Sequence, residues 1–174
     1  MSENVHFIFA VHCHQPVGNF DHVIERACAD AYEPFLQAME NHPKIKFCAH
    51  FSGALLEWVE RHRIGIFMKI REMADSGQLE LLGGGFSEPI FAMLKDRDIL
   101  GQIEAMSEYL ARHFSVEPQG IWIPERIWEQ QLTRTLCDAG VRYTLLDDFH
   151  FKAAGMTDER LTGPFLTEDN GKLL

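Results

Sequence analysis

Three short stretches of this sequence gather side chains that can do chemistry. The first, His12-Cys13-His14-Gln15-Pro16, sets two imidazoles two residues apart. With a period of two along an extended chain, His6, Ile8, Ala10, His12 and His14 share one face, while Val5, Phe7, Phe9, Val11 and Cys13 share the other. The second set is wholly apolar, as a face covered by helices would be, and the histidines then point the other way. A His-x-His pair at a strand end can ligate zinc, with Glu88 or Glu125 completing the set. Imidazoles can equally hydrogen-bond hydroxyls or orient a carboxylate, or serve the core alone; the residues by themselves leave all three readings open. The second stretch, Gly83-Gly84-Gly85-Phe86-Ser87-Glu88-Pro89-Ile90, sets a carboxylate after three glycines. Glycines let the backbone turn sharply and let other groups come close, and Pro89 fixes the carboxylate's place in the loop; the plain alternative is an exposed loop glutamate. The third, Ile121-Trp122-Ile123-Pro124-Glu125-Arg126-Ile127-Trp128, holds Glu125 between two tryptophans. Tryptophan rings offer flat apolar platforms that stack on pyranose C–H faces. Arg126 beside it is expected to hold the carboxylate ionised, the state a nucleophile needs. A buried Glu–Arg pair in a tryptophan-lined core is the competing reading. Asp147-Asp148 adds acidic residues that can face a site, cap the next segment or pair with His150.

The elements that must position these groups alternate strand and helix. Strands are expected at Val5–Val11, Lys46–Phe51, Gln78–Leu82, Gly120–Ile123 and Arg142–Leu146. Helical spacing marks Asp21–Glu40, with Pro34 a kink or break, then Ala54–Arg61, Ile64–Ser76 ended by Gly77, Asp96–Phe114, and Gln130–Ala139 closed by Gly140. In Asp96–Phe114 the apolar stripe is Ile99, Leu100, Ile103, Met106, Leu110 and Phe114. After Asp148 the pattern fades, until Asn170-Gly171 signals a turn between strand-like residues.

Such alternation implies a parallel sheet, doubly wound or closed as a barrel. The unusual residues, His12, His14, His50, Glu88, Glu125, Asp147 and Asp148, all fall at C-terminal strand ends, which in a barrel converge on one mouth. A nucleotide loop at the three glycines is disfavoured, because Glu88 would repel phosphate and Pro89 opposes a helix through it.

At 174 residues the chain is one domain, with 46% hydrophobic and 24% charged residues. A net charge of −10 argues against a nucleic-acid partner. No apolar run reaches the roughly 20 residues of a membrane span, and Met1-Ser2-Glu3-Asn4 lacks the basic start of a signal peptide. Cys13, Cys28, Cys48 and Cys137 form no CxxC pair and read as reduced thiols, so the expected compartment is cytoplasmic.

The three stretches together, in this order and spacing, resemble the first three sequence regions of glycoside hydrolase family 57. His50-Phe51-Ser52-Gly53, Leu55-Leu56-Glu57-Trp58 and Leu146-Asp147-Asp148-Phe149-His150-Phe151 look especially like its 4-α-glucanotransferase and α-amylase-type members. The resemblance runs over nearly the whole chain. It implies an α/β fold, a distorted TIM-like (β/α)7 barrel of which residues 1–174 supply the N-terminal portion, about five strands. It implies a retaining double displacement on α-1,4-linked glucans with Glu125 as nucleophile. His12, His14, Glu88 and Trp122 are then substrate-binding, and no metal or cofactor is required. The acid/base of the family is an aspartate on a later strand, beyond Leu174, so this length of chain is expected to be inactive alone. Its expected partners are maltooligosaccharide, the missing C-terminal half, or a second copy through open barrel edges. The alternatives are a metal-dependent carbohydrate deacetylase-like barrel and a non-catalytic glucan-binding fragment.

Overall fold

The computed structural model describes residues 7–158, 161 and 163–174. The chain forms an α/β fold, a parallel sheet with flanking helices. Strands β1 (Ala10–Cys13), β2 (Phe47–Phe51) and β3 (Leu79–Leu82) pair side by side, all parallel. Gly83 then bridges to Ile121 of β4 (Gly120–Ile121), which pairs in parallel with β5 (Tyr143–Thr144). The strand order follows the sequence without reversing. The switch point that defines a doubly wound sheet does not occur among the described residues.

Between strands run the helices α1 (Asp21–Ala27), α2 (Glu33–Glu40), α3 (Gly53–His62), α4 (Ile64–Asp75), α5 (Asp96–Phe114), α6 (Leu132–Asp138) and α7 (Asp148–Ala153). The expected helix over Asp21–Glu40 is a continuous helical path, and Pro34 does not break it. A wide π-turn at Cys28–Tyr32 joins α1 to α2 and places Pro34 in the first turn of α2. That is where a missing N–H costs least, and the widened turn makes room for the ring. Of the apolar residues along it, Ile24, Cys28, Leu36 and Met39 are buried, whereas Val23 is exposed.

The first strand is shorter than expected and shifted toward its histidines. Ladder pairing begins at Ala10↔Cys48; the Phe9 carbonyl still accepts from the Cys48 N–H at 2.9 Å, but β2 begins only at Phe47 and lies beyond the reach of Phe7 and Ile8. Phe7 and Ile8 are accordingly exposed; Val5 and His6 lie outside the described residues. Strands β4 and β5 are also shorter than expected, two residues each, since β4 meets β3 through one bridge. Helix α5 matches its expected span, with Tyr109 buried on its stripe and Leu100 only half-buried. The Asn170-Gly171 signal forms a tight hairpin between β6 (Glu168–Asp169) and β7 (Lys172–Leu173). Both turn residues take positive φ, 51° and 79°, as a type I′ turn demands. Helix α7, which the sequence pattern did not announce, buries none of its residues.

Two cores hold these elements. One lies around β1 to β3 with α1 to α4 and includes Leu36, Phe47, Leu56, Ile70 and Leu81. The other lies around β4 and α6 and includes Phe91, Ile121, Ile123 and Leu136. Helix α5 belongs to both: Ile99 and Ile103 fill the second, Met106, Leu110 and Phe114 the first. All four cysteines are free, and burial pushes the Cys13 thiol up to about 12, leaving it protonated and inert. Among the described residues no helix is long and apolar enough to cross a membrane.

Candidate active site

The register of the sheet builds the site. His12 of β1 lies directly beside His50 of β2, and their Nδ1 atoms are 3.0 Å apart. After β3 the chain passes through the three glycines and returns Glu88 against both rings. Glu88 Oε1 is 3.3 Å from His12 Nε2 and 3.4 Å from His50 Nδ1, and Oε2 contacts His14 Nδ1. The glycines act through space, not through unusual torsions. None of them has positive φ; that falls to Glu88, at 52°. A Cβ on Gly84 would lie 2.6 Å from His50 Nε2 and 3.1 Å from the Trp122 carbonyl oxygen, so only glycine lets that imidazole and β4 approach together.

Trp122 follows β4 and lays its ring on His12, with centroids 4.5 Å apart and planes 7° from parallel. His12 in turn stacks on His50 at 5.1 Å and on His14 at 6.0 Å. The Trp122 Nε1–H is buried with no partner, as are His50 Nε2 and Glu88 Oε1. Glu125 sits in a 3-10 turn, Pro124–Arg126, and is exposed. Both Glu125 and Arg126 have left-handed backbone, φ 53° and 51°. Two successive non-glycine residues there store strain of about 1–3 kcal/mol each. Ile123 and Pro124, both buried, fasten the turn from below.

Burial governs the cluster's protons. Desolvation lowers His12 to about 4, assisted by His14 and Arg126, and takes the His50 imidazole well below its ordinary value. Desolvation and then the charge of Glu125 raise Glu88 to about 8. At His14 burial lowers the pKa while Glu125 opposes the fall. Glu125 is thus near enough to be felt at both His14 and Glu88.

The structure therefore brings His12, His14, Glu88 and Trp122 together, with Glu125 beside them. The expected partnership of Arg126 with Glu125 is replaced by another. Arg126 Nε donates to Asp147 Oδ2 at 2.7 Å, and its guanidinium lies 5.5 Å from the Trp122 ring centroid. Among the described residues no ion pair joins Arg126 to Glu125, and both have left-handed backbone. Asp147 accordingly neither caps α7 with its side chain nor pairs with the His150 ring, and Asp148 pairs with Lys152. His50 and Asp147 are additions to the candidate set. His50 was signalled by its strand-end position, and the parallel register that sets it beside His12 makes it part of the cluster. For Asp147 no local sequence signal names Arg126 as its partner.

Chemically, the cluster offers hydrogen-bond donors and acceptors and one flat ring to a polyhydroxylated ligand, with an accessible carboxyl at its rim. The model of Glycosyl hydrolase family 57 matches residues 8–174. An α-amylase of Pyrococcus horikoshii is 42% identical over 170 residues, 98% of this chain and 27% of that protein. A 4-alpha-glucanotransferase of Thermococcus litoralis is 41% identical over 172 residues, 99% of this chain and 26% of that protein. The crystal structure of the 4-alpha-glucanotransferase from Thermococcus litoralis superposes with a TM-score of 0.93 over 96% of this chain and 26% of that one. A family 4 carbohydrate esterase from Streptomyces lividans superposes at TM-score 0.58 with 12% identity, over 81% of this chain and 62% of that one, a likeness of fold alone. The chain spans about a quarter of the length of the curated relatives it matches. A match over all but the first seven residues, with relatives above 40% identity, establishes that the chain belongs to glycosyl hydrolase family 57.

Proposed function

We propose that residues 1–174 are the N-terminal portion of a distorted, incomplete (β/α)7 barrel and carry the nucleophile and donor-sugar side of a retaining enzyme acting on α-1,4-glucans. The consecutive strand order supports the barrel, as does the His12–Trp122 stack. A flat sheet would hold β1 and β4 about 14 Å apart, and rings from the two strands meet face to face, which calls for a sheet curling toward this side.

The observation that carries the reading is the placement of Glu125: exposed, on a strained turn, at the rim of the His12–His14–Glu88–Trp122 cluster and within electrostatic reach of it. In this reading the Glu125 carboxylate attacks the anomeric carbon and the glycosidic oxygen departs with the bonding pair, taking a proton from an acid. A sugar hydroxyl or water then gives its proton to the same group and displaces Glu125, restoring the original configuration. His12, His14 and Glu88 bond the donor sugar's hydroxyls, and Trp122 lines the same wall. The acid/base role is assigned to a later aspartate, so the chain alone is inactive on maltooligosaccharides. Exposed Phe7 and Ile8 beside β1 support a further strand, or a second copy, covering that edge.

An α-maltosyl fluoride bearing a second fluorine on its reactive ring separates attack from acid catalysis, because fluoride leaves with little need of a proton. The expected product is a covalent glycosyl adduct mapped to Glu125 by mass spectrometry. An adduct that persists in Glu125→Gln, or one on Glu88 instead, would remove Glu125 from the role.

A further inference from the structure

We infer that Tyr32 is a positioning residue: its hydroxyl fixes the chain at His14, and thereby the His14 imidazole that meets Glu88. Strand β1 ends at Cys13, whose carbonyl accepts from the Ser52 N–H at 3.1 Å. One residue later the ladder has ended, and the His14 carbonyl accepts instead from the Tyr32 hydroxyl at 3.1 Å. The same hydroxyl oxygen accepts from Gln15 Nε2 at 3.0 Å, and Gln15 Oε1 accepts from Asn19 Nδ2 at 2.8 Å. The Asn19 N–H closes the loop on the Pro16 carbonyl at 3.1 Å. One phenol thus gathers the loop after β1, in which Gln15 and Asn19 are half-buried while Val17 and Phe20 are exposed.

Tyr32 is itself anchored. It ends the π-turn Cys28–Tyr32, a widened turn of a kind that recurs at functional sites, and its ring packs on the larger core. Burial raises its pKa, so the hydroxyl keeps its proton and remains a donor at neutral pH. The charge of Glu88 is felt there too, which sets this hub beside the cluster. His14 has the least support of the three histidines around Glu88. It lies beyond the end of its strand, and its side chain is 34% exposed, against 27% for His12 and 0% for His50. A ring so placed is aimed by its own backbone, and Tyr32 holds that backbone. The hold on His14 stands on these bonds alone; that the imidazole so aimed meets a donor sugar rests on the glucan reading.

Tyr32→Phe deletes one oxygen and keeps the packed ring, so the fold should persist by circular dichroism. Histidine-ring NMR of the 174-residue chain reads the hold directly, with the His14 signals assigned by their loss in His14→Gln. In Tyr32→Phe those signals should move while the His113 ring on α5 stays in place; unmoved His14 signals would overturn the inference. Labelling by the fluoride donor reads what the hold does for the sugar. In Tyr32→Phe the donor concentration for half-maximal labelling should rise about 3–10-fold, with the maximal rate changed less than about twofold. In a His14→Gln background the same substitution should add less than about twofold, because the two residues act as one unit. An equal loss in both backgrounds would make Tyr32 merely structural and overturn the inference. His14 signals that move in a chain the donor never labels would remove the glucan reading and keep the hold of Tyr32 on His14.

Discussion

Glu88, in the loop after β3, and Glu125, in the turn after β4, share a backbone conformation and little else. Both have φ close to 50°, 52° for one and 53° for the other. Glu88 is enclosed, its side chain 4% exposed, with three imidazoles against it. Glu125 stands in the open at the end of a two-residue strand, its neighbour Arg126 committed to Asp147. The loop after β3 rests on the larger core, while the turn after β4 rests on the smaller one. Two carboxyl groups whose surroundings differ this much are suited to different tasks. The enclosed acid holds a proton and a shape, and the open one meets solvent, as the proposed nucleophile must.

The strongest way to break this contrast is at the open acid. Glu125→Gln should slow labelling by the fluoride donor by roughly 10³-fold or more while leaving the denaturation midpoint nearly unchanged; a large loss of stability instead would make Glu125 structural. Second in size is Gly84→Ala on the enclosed side. Its new Cβ would meet His50 Nε2 at 2.6 Å, in a place where neither ring nor β4 can yield. A loss of about 1–3 kcal/mol in urea denaturation is expected, and a neutral result would show that the cluster is loosely packed.

The third prediction concerns pH. Glu88 is raised from 4.5 to about 8, so between those values the folded chain keeps a proton that the unfolded chain has released. That contribution to stability is lost as pH rises toward 8. His12 is lowered from 6.5 to about 4, so it acts oppositely, and its contribution is fully gained by pH 6.5. His14 and His50 shift in the same direction as His12. The two effects oppose each other below pH 6.5, and above it Glu88 acts alone. Stability should therefore fall between pH 6.5 and 8, on the order of 1 kcal/mol, and this slope should vanish in Glu88→Gln. An unchanged slope in that variant would assign the proton elsewhere. The smallest effect belongs to Asp147→Asn, which weakens a half-exposed ion pair to Arg126. It should cost no more than about 1 kcal/mol, yet slow labelling of Glu125 by releasing the turn; equal labelling rates would mean that Pro124 and Ile123 alone aim the carboxyl.

Much of this contrast was legible in the residues. Strand-end histidines, a carboxylate after three glycines and a glutamate between tryptophans named the site's members, and helix α5 was marked by its apolar stripe. Pairwise geometry was not legible. That His50 completes the cluster depends on the parallel register, a non-local property. That Arg126 pairs with Asp147 is likewise non-local, and the left-handed torsions at Glu125 and Arg126 are ones that local propensity argues against. The π-turn before Pro34 was hidden for a similar reason: sequence marks where a helix must adjust, and packing decides how.

Between β3 and β4 the sheet is stitched at one residue: Gly83 both donates to Gly120 and accepts from Trp122, each at 2.9 Å. The molecule thus has a fault line, with intact hydrophobic ground on either bank. Deuterium should enter the amides of Gly83 and Trp122 before those of β2, which has a neighbour on both sides. When the stitch slips, helix α5 and the His12–Trp122 stack still tie the enclosed acid to the open one, so the width between them rests on helix and ring packing as well as on the narrowest hydrogen-bonded link in the sheet.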